Sequence, residues 1–121
     1  MRKNATENEI NIFLDKAAEL IANGCCMLLS LGSREKNRET LLELGLTNTL
    51  MFEEIRSLEV KHYSKGPEQD RDEKIKGEVW FFGKEIAGKE IYIKLKIDTA
   101  GNLLLVISFH TTDYKIYYPY K

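Results

Sequence analysis

The chain has 121 residues, of which 43% are apolar, and its formal net charge at neutral pH is −1. This length and apolar content suit one domain with a buried core, so we expect a single domain over residues 1–121. The charge balance is −3 over residues 1–60 and +2 over residues 61–121, which excludes the strongly basic surface of a typical nucleic-acid binder. Any recognition of RNA must therefore rest on a few placed cations.

The first half of the chain predicts three amphipathic helices. The first starts at a capping box formed by Thr6 and Glu9, continues with apolar residues at helical spacing, and stops at Gly24. A second helix is predicted at residues 34–44, and a third after the cap residue Thr47. We expect these helices to cover the apolar face of a sheet.

Two adjacent cysteines, Cys25 and Cys26, follow the first helix, and no Cys/His cluster has the spacing of metal ligands. Adjacent cysteines do not readily bridge each other, which favours a reduced, cytoplasmic protein. The chain has no secretory signal pattern and no apolar run of about 18 residues, so we expect neither export nor membrane insertion. We expect no metal and no cofactor.

The second half predicts a loop followed by strands. Residues 61–76 are polar and contain Gly66-Pro67, so they are interpreted as a long surface loop. Strand patterns then follow at Glu78–Phe82, Lys89–Ile97 and Leu103–Phe109, with a short strand near Lys115–Tyr118. Helices first and strands second indicate an α+β fold, with N-terminal helices packed on one face of a C-terminal antiparallel β-sheet.

The central strand of this sheet alternates strictly between two kinds of side chain. One face carries Ile91, Ile93, Leu95 and Ile97, and the other carries Glu90, Tyr92, Lys94 and Lys96. A hairpin that pairs Ile97 with Leu103 would place Tyr92 opposite Ser108 and Glu90 opposite His110. The sheet is therefore predicted to have one apolar face and one face whose groups can hold a phosphate or transfer a proton.

Four segments, in their order and spacing, resemble the MqsR family of type II toxins. The segments are Lys65-Gly66-Pro67 with Asp70, Gly77–Lys84, Glu90–Ile97 and Ile107–His110. The family consists of bacterial mRNA interferases with a RelE-like fold, and the resemblance covers residues 13–110. It implies cleavage of mRNA, free or on the ribosome, and neutralisation by a cognate antitoxin.

Carried over residue by residue, the resemblance implies that Lys65, Tyr92 and His110 are catalytic. One position departs from the family pattern. Its best-studied member has a glutamine directly after the strand tryptophan, whereas Phe81 follows Trp80 here. Any role of a glutamine amide in orienting the substrate is therefore lost or supplied elsewhere.

Cleavage of RNA suits these residue types, because the 2′-hydroxyl of RNA is itself the nucleophile and no metal ion is required. The protein must align the attack, move two protons and stabilise the charge on the phosphorane. The imidazole of a histidine has an ordinary pKa of about 6.5, so a histidine at position 110 suits the role of general acid or base. Whether His110 or Lys65 is the acid stays open.

Further residues are candidates for substrate binding. Arg71 and Lys94 would join Lys65 in holding the phosphate as charge-assisted donors. Tyr92 would donate to a phosphate oxygen or stack on a base, and Phe81 would stack likewise if a register pairing Val79 with Tyr92 places both rings on the open face.

Less specific interpretations compete with this one. The fold could serve as a non-catalytic module that binds RNA or a protein, or as a structural protein whose strands pair with another chain. Lys94 and Lys96 could simply form the solvated side of the sheet. His62 is a second acid/base candidate, although a structural role is the more common one for such a residue.

Overall fold

The computed structural model describes residues 4–29, 35–70 and 75–121. In this part of the chain lie three helices and five strands: α1 (Glu7–Ala22), β1 (Cys26–Leu28), α2 (Glu35–Leu44), α3 (Asn48–Arg56), β2 (Tyr63–Gln69), β3 (Glu78–Ile86), β4 (Lys89–Asp98) and β5 (Leu103–Thr111). A short 3₁₀ helix, Val60–His62, precedes β2. The predicted α+β class is confirmed.

The ends of the helices follow from local hydrogen bonds. Thr6 Oγ1 accepts from Glu9 N at 3.1 Å, and Glu9 Oε1 accepts from Thr6 N at 2.9 Å, which completes the predicted capping box of α1. Gly24, with φ +73°, follows α1 in the left-handed region that favours glycine. Thr47 caps α3 in the same way, by accepting from Leu50 N at 3.1 Å. None of these helices in the described ranges is long and apolar enough to cross a membrane.

The strands form one sheet in the order β1-β5-β4-β3-β2. The three pairings among β2, β3, β4 and β5 are antiparallel, but β1 pairs with β5 in parallel. The predicted antiparallel sheet is therefore a mixed one. A strand of only three residues, directly after a helix, carries too short a pattern to be predicted from alternation.

The helices cover one face of the sheet, as predicted, and we call this the helix face. Its core joins apolar residues of α1 and α3 to strand residues that are 0% exposed: Tyr63, Phe82, Ile91, Ile93, Leu95, Leu104, Val106 and Phe109. From the helices come Ile10, Phe13, Leu14, Ala17, Leu20, Met51 and Ile55. Burial of this apolar area is the main term that stabilises the fold.

The predicted surface loop at residues 61–76 was wrong in its first part, because Tyr63–Gln69 forms β2 at the edge of the sheet. Gly66-Pro67 is a typical turn signal, but an edge strand tolerates proline because its outward-facing N–H position needs no partner. The pairing of β2 with β3 places Lys65 opposite Phe81. The strand therefore brings the first predicted catalytic residue onto the sheet.

The predicted short strand near Lys115–Tyr118 is absent, and residues 112–121 form an irregular segment that we call the C-terminal segment. It is held by hydrogen bonds from one backbone N–H and two tyrosine hydroxyls instead of by a strand partner. Ile116 N donates to Glu90 Oε1 at 3.3 Å, the Tyr118 hydroxyl donates to Glu90 Oε2 at 2.9 Å, and the Tyr120 hydroxyl donates to Ala5 O at 2.5 Å.

Candidate functional site

The sheet face that points away from α1 and α3 carries Phe81, Tyr92, Lys94 and His110, and we call it the site face. Side chains of a strand alternate between faces, so these residues lie between core residues such as Phe82 and Ile93 in sequence. The site face also has a small apolar cluster of its own, made of Val79, Phe81, Leu105 and Ile107.

Two lysine ammonium groups lie close to the ring of Phe81. Phe81 pairs with Lys65 on β2 and with Lys94 on β4. Lys65 Nζ lies 4.5 Å from the ring centroid and Lys94 Nζ lies 5.6 Å from it, both within the range of cation–π attraction. The ring is only 6% exposed. One buried aromatic ring thus holds two ammonium groups near the same part of the surface.

Tyr92 and His110 form the second half of the group. They are direct cross-strand partners on β4 and β5, with ring centroids 5.5 Å apart and ring planes at 41°. The Tyr92 ring also lies 6.1 Å from the Phe81 ring. Lys65, Phe81, Lys94, Tyr92 and His110 therefore form one contiguous patch. Arg71, the remaining predicted site residue, lies outside the described residues.

The His110 ring has a defined hydrogen-bond environment. Its Nδ1 lies 2.9 Å from the Thr111 carbonyl oxygen, and a carbonyl oxygen can only accept. This contact requires the hydrogen on Nδ1, which leaves Nε2 of the neutral ring as an acceptor. The ring is therefore oriented with the nitrogen able to take a proton directed away from its own backbone.

The register of the strands differs from both predicted registers. Ile97 pairs with Leu104, not Leu103, because Asp98 still belongs to β4 and the β4–β5 turn contains only residues 99–102. A bulge at Ile107 then shifts the pairing by one more residue, so that Lys94 faces Ser108 and Tyr92 faces His110. Two shifts of one residue leave His110 on the predicted face but next to a different partner.

The predicted pairing of Val79 with Tyr92 was also wrong. Val79 pairs with Lys96, and Tyr92 pairs with Gly83. The error is an even number of residues, and strand side chains repeat every two residues. Phe81 and Tyr92 therefore still share the site face, as the sequence predicted.

Lys96 is not on a solvated surface. It is 1% exposed, and its Nζ lies 2.9 Å from Asp70 Oδ2, so its charge is paired inside the protein. Lys65 is different, because its side chain is 57% exposed and Glu68 Oε2 lies 3.8 Å away. A pair at that distance and exposure is weak, so Lys65 can exchange it for an anion.

Asn37 on α2 was missed by the sequence analysis, although it holds the strand that carries His110. It is 0% exposed; its Nδ2 donates to Leu29 O at 2.6 Å and to Ile107 O at 2.9 Å, while its Oδ1 accepts from Phe109 N at 2.9 Å. The side chain thus replaces a strand partner where β1 has ended. A polar residue at a helix position that faces the core was the only available signal.

A cleft of about 440 Å³ begins at Tyr92 and His110. Its other walls are Lys36, Ser64 and residues 111–117, most of which belong to the C-terminal segment. None of these walls was predicted. The strand predicted near Lys115–Tyr118 does not form, so the sequence pattern of the segment did not indicate its position.

The other candidates lie elsewhere. His62 Nδ1 accepts from Glu59 N at 2.9 Å and does not line the cleft. Burial, followed by the charges of Lys84 and Lys61, lowers the pKa of His62. Burial, followed by the neighbouring Cys25, raises the pKa of the Cys26 thiol, which is the wrong direction for a nucleophile. The described residues contain no group of three or more His, Cys, Asp or Glu side chains placed to hold a metal ion.

Comparison with known families gives the same result as the motifs. Residues 12–111 match the family described as motility quorum-sensing regulator, toxin of MqsA. The chain belongs to the MqsR toxin family. It is therefore the toxin of a toxin–antitoxin system, and membership implies an antitoxin as its partner. No curated protein and no solved structure is significantly similar to the chain.

The range of the family match includes the residues of the site face. It extends from α1 through β5 and ends at Thr111, one residue after His110. The patch of cations and rings therefore lies inside the family region of this MqsR toxin, and the C-terminal segment lies outside it.

Proposed function

We propose that this MqsR toxin is an endoribonuclease that cleaves mRNA in the cytoplasm without a metal ion. The observation that carries the proposal is the contiguous patch on the site face: a histidine against a tyrosine, and two ammonium groups around the adjacent phenylalanine. A proton-transfer group beside a pair of cations is what a reaction at a phosphodiester needs.

In this mechanism the substrate supplies the nucleophile. The neutral His110 ring takes the proton of the 2′-hydroxyl at Nε2 while the 2′-oxygen forms a bond to phosphorus. The bond from phosphorus to the 5′-oxygen breaks, and that oxygen takes a proton from the Tyr92 hydroxyl, on the ring beside His110. The products are a 2′,3′-cyclic phosphate and a 5′-hydroxyl.

Lys65 and Lys94 stabilise the negative charge that builds up on the phosphorane. Both ammonium groups are held by the Phe81 ring, at 4.5 Å and 5.6 Å from its centroid. Ammonium groups form strong charge-assisted hydrogen bonds with phosphate oxygens. Because its ring is buried, Phe81 serves as a positioning residue for the lysines in this mechanism.

The experiment that tests the proposal uses protein freed of its antitoxin and an end-labelled mRNA, incubated in EDTA. We expect defined fragments with 5′-hydroxyl ends. A synthetic RNA with a single 2′-deoxy nucleotide at the mapped cleavage position is the matched control, because it lacks only the nucleophile. It should stay intact at that position while other sites are still cut.

Two results would contradict the proposal. Cleavage of the 2′-deoxy substrate would show that water or another group is the nucleophile. Intact RNA with and without translating ribosomes, together with measurable binding of the same RNA, would favour a non-catalytic RNA-binding module of the same fold.

A further inference from the structure

We propose that the C-terminal segment is a nucleobase-binding wall of the active site, in which Tyr114 and Tyr117 stack on bases of single-stranded RNA next to the scissile phosphate. This inference rests on the proposed ribonuclease function and adds a substrate subsite to it. The segment follows the residues that match the family, which end at Thr111.

The segment is fixed before, between and after these tyrosines. Before them it continues directly from β5. Between them Ile116 N donates to Glu90 on β4, and after them the Tyr118 hydroxyl donates to Glu90 and the Tyr120 hydroxyl donates to Ala5 O. The two contacts with Glu90 hold the segment beside β4, the strand that carries Tyr92.

Gly83 makes this anchoring possible. A Cβ at Gly83 would overlap the Tyr118 hydroxyl and the end of the Ile116 side chain, so these side chains would have to shift if any other residue stood there. Burial raises the pKa of the Tyr118 hydroxyl, and so do its hydrogen bond to Glu90 and the charge of Glu90. The hydroxyl therefore stays protonated and remains a donor to the carboxylate across the physiological pH range.

The anchored segment presents two large aromatic rings to solvent. Tyr114 is 84% exposed and Tyr117 is 73% exposed, and both line the same cleft as Tyr92 and His110. Rings so exposed contribute little to the stability of the fold, because an aromatic side chain stabilises the folded state by being buried. Planar rings on a fixed wall are, however, the surface on which unpaired bases stack.

The remaining lining of the cleft suits RNA. Lys36 and Lys115 add cations for backbone phosphates, and Asp113 adds an acceptor for base amino groups. The volume of about 440 Å³ falls in the range of small-molecule sites, roughly 300–1,000 Å³, which admits one nucleotide but not a folded element. Charge, shape and ring exposure together favour a nucleotide over an apolar peptide.

The test measures binding of a fluorescent RNA oligonucleotide that carries 2′-deoxy at its cleavage position, so that it binds without being cut. The full chain and a Tyr114→Ala/Tyr117→Ala variant are compared by anisotropy. We expect the variant to bind on the order of 10-fold more weakly, the effect typical of losing base stacking. A Tyr114→Phe/Tyr117→Phe variant should bind within about twofold of the unaltered chain, because phenylalanine stacks as well.

Two controls make the result specific. Ile12→Ala removes an apolar side chain that is 61% exposed outside the cleft, and it should leave binding unchanged. An abasic nucleotide, placed in turn at each position flanking the cleavage site, should weaken binding to the unaltered chain at one or two positions. At those positions it should cost the alanine variant nothing further, because the stacking partners are already absent.

The outcomes separate the subsite from the ribonuclease function. If the unaltered chain cleaves RNA and the alanine variant binds the oligonucleotide equally well, the subsite is wrong and the ribonuclease function stands. If the variant loses antitoxin binding but binds RNA normally, the wall is a protein-docking surface and the subsite is likewise wrong. If the unaltered chain neither binds nor cleaves RNA, the proposed function fails, and the subsite fails with it.

Discussion

Phe81 and Phe82 are neighbours on β3 with the same side chain, yet they lie on opposite faces and have different surroundings. Phe82 is 0% exposed and packs 6.0 Å from the Phe13 ring and 6.1 Å from the Tyr63 ring. Phe81 is nearly as buried, but two of its neighbours are ammonium groups. Burial alone therefore does not separate the two faces; the chemistry of the neighbours does.

The same contrast is found on β5, where Phe109 belongs to the helix face and His110 to the site face. The helix face contains interchangeable aliphatic and aromatic groups that exclude water. The site face contains cations, a phenol and an imidazole held at set distances. Substitutions on the first face should change stability, and those on the second should change activity.

The largest loss of stability is expected for Phe109→Ala. Removing a fully buried phenylalanine leaves a cavity in the helix-face core and costs about 3–5 kcal/mol of unfolding free energy. Small domains have only about 5–15 kcal/mol in total. Urea unfolding followed by circular dichroism measures the change. A loss below about 1 kcal/mol would mean that the two faces do not differ as described.

Asn37→Leu tests how the Asn37 side chain holds β5, the strand that carries Phe109 and His110. It leaves the Phe109 N–H and the carbonyls of Leu29 and Ile107 without their side-chain partner, at a cost on the order of 2–3 kcal/mol. The same urea titration measures it. Glu39→Gln, on the exposed side of the same helix, is the control and should change stability by less than about 0.5 kcal/mol. Equal effects of the two would show that the buried amide contributes nothing.

Phe81→Leu tests the role of the aromatic ring on the site face. Leucine keeps much of the buried volume, so stability should fall by less than about 1.5 kcal/mol. It removes the ring that attracts Lys65 and Lys94, an attraction of about 0.5–1 kcal/mol for each cation. We expect cleavage, measured as kcat/KM, to fall about 3- to 10-fold. A rate equal to that of the unaltered chain would remove Phe81 from the site.

The smallest effect is expected for His62→Gln, which lies outside both groups. Burial, Lys84 and Lys61 lower the pKa of His62 in the folded chain, so its neutral form is the favoured one there. Its contribution to stability is therefore complete above the unfolded pKa of about 6.5 and is lost as the pH falls below it.

Glutamine does not titrate, and it can still accept from Glu59 N. The variant should therefore lose less stability than the unaltered chain between pH 7.5 and pH 5, as measured by urea unfolding at both values. A decline equal in both proteins would exclude His62 as a source of the pH dependence.

The helices and the alternation of β4 could be predicted because each depends on local physics. Such local signals involve only residues close together in sequence. Examples are the capping box at Thr6, the cap at Thr47 and the alternating isoleucines of β4. The family resemblance added the site residues, and the structure brings together those that it describes.

What could not be predicted depends on contacts between distant residues. The bulge at Ile107 has no local signal, and β2 forms despite Pro67 because β3 supplies a partner. Asn37 acts on a strand 70 residues away in sequence. The position of the C-terminal segment depends on a hydrogen bond to Glu90 and on the space beside Gly83. Neither residue belongs to the segment, so its own sequence does not predict where it lies.

The single-turnover cleavage rate of one RNA by the unaltered chain, His110→Ala and Phe109→Leu tests whether the site face is catalytic. These variants change adjacent residues on opposite faces. We expect His110→Ala to keep its stability but to slow cleavage by roughly 10²- to 10⁴-fold, the usual contribution of a general acid or base. The folded fraction of Phe109→Leu should cleave at nearly the normal rate. A His110→Ala rate within about threefold of normal would contradict the claim that the site face is catalytic.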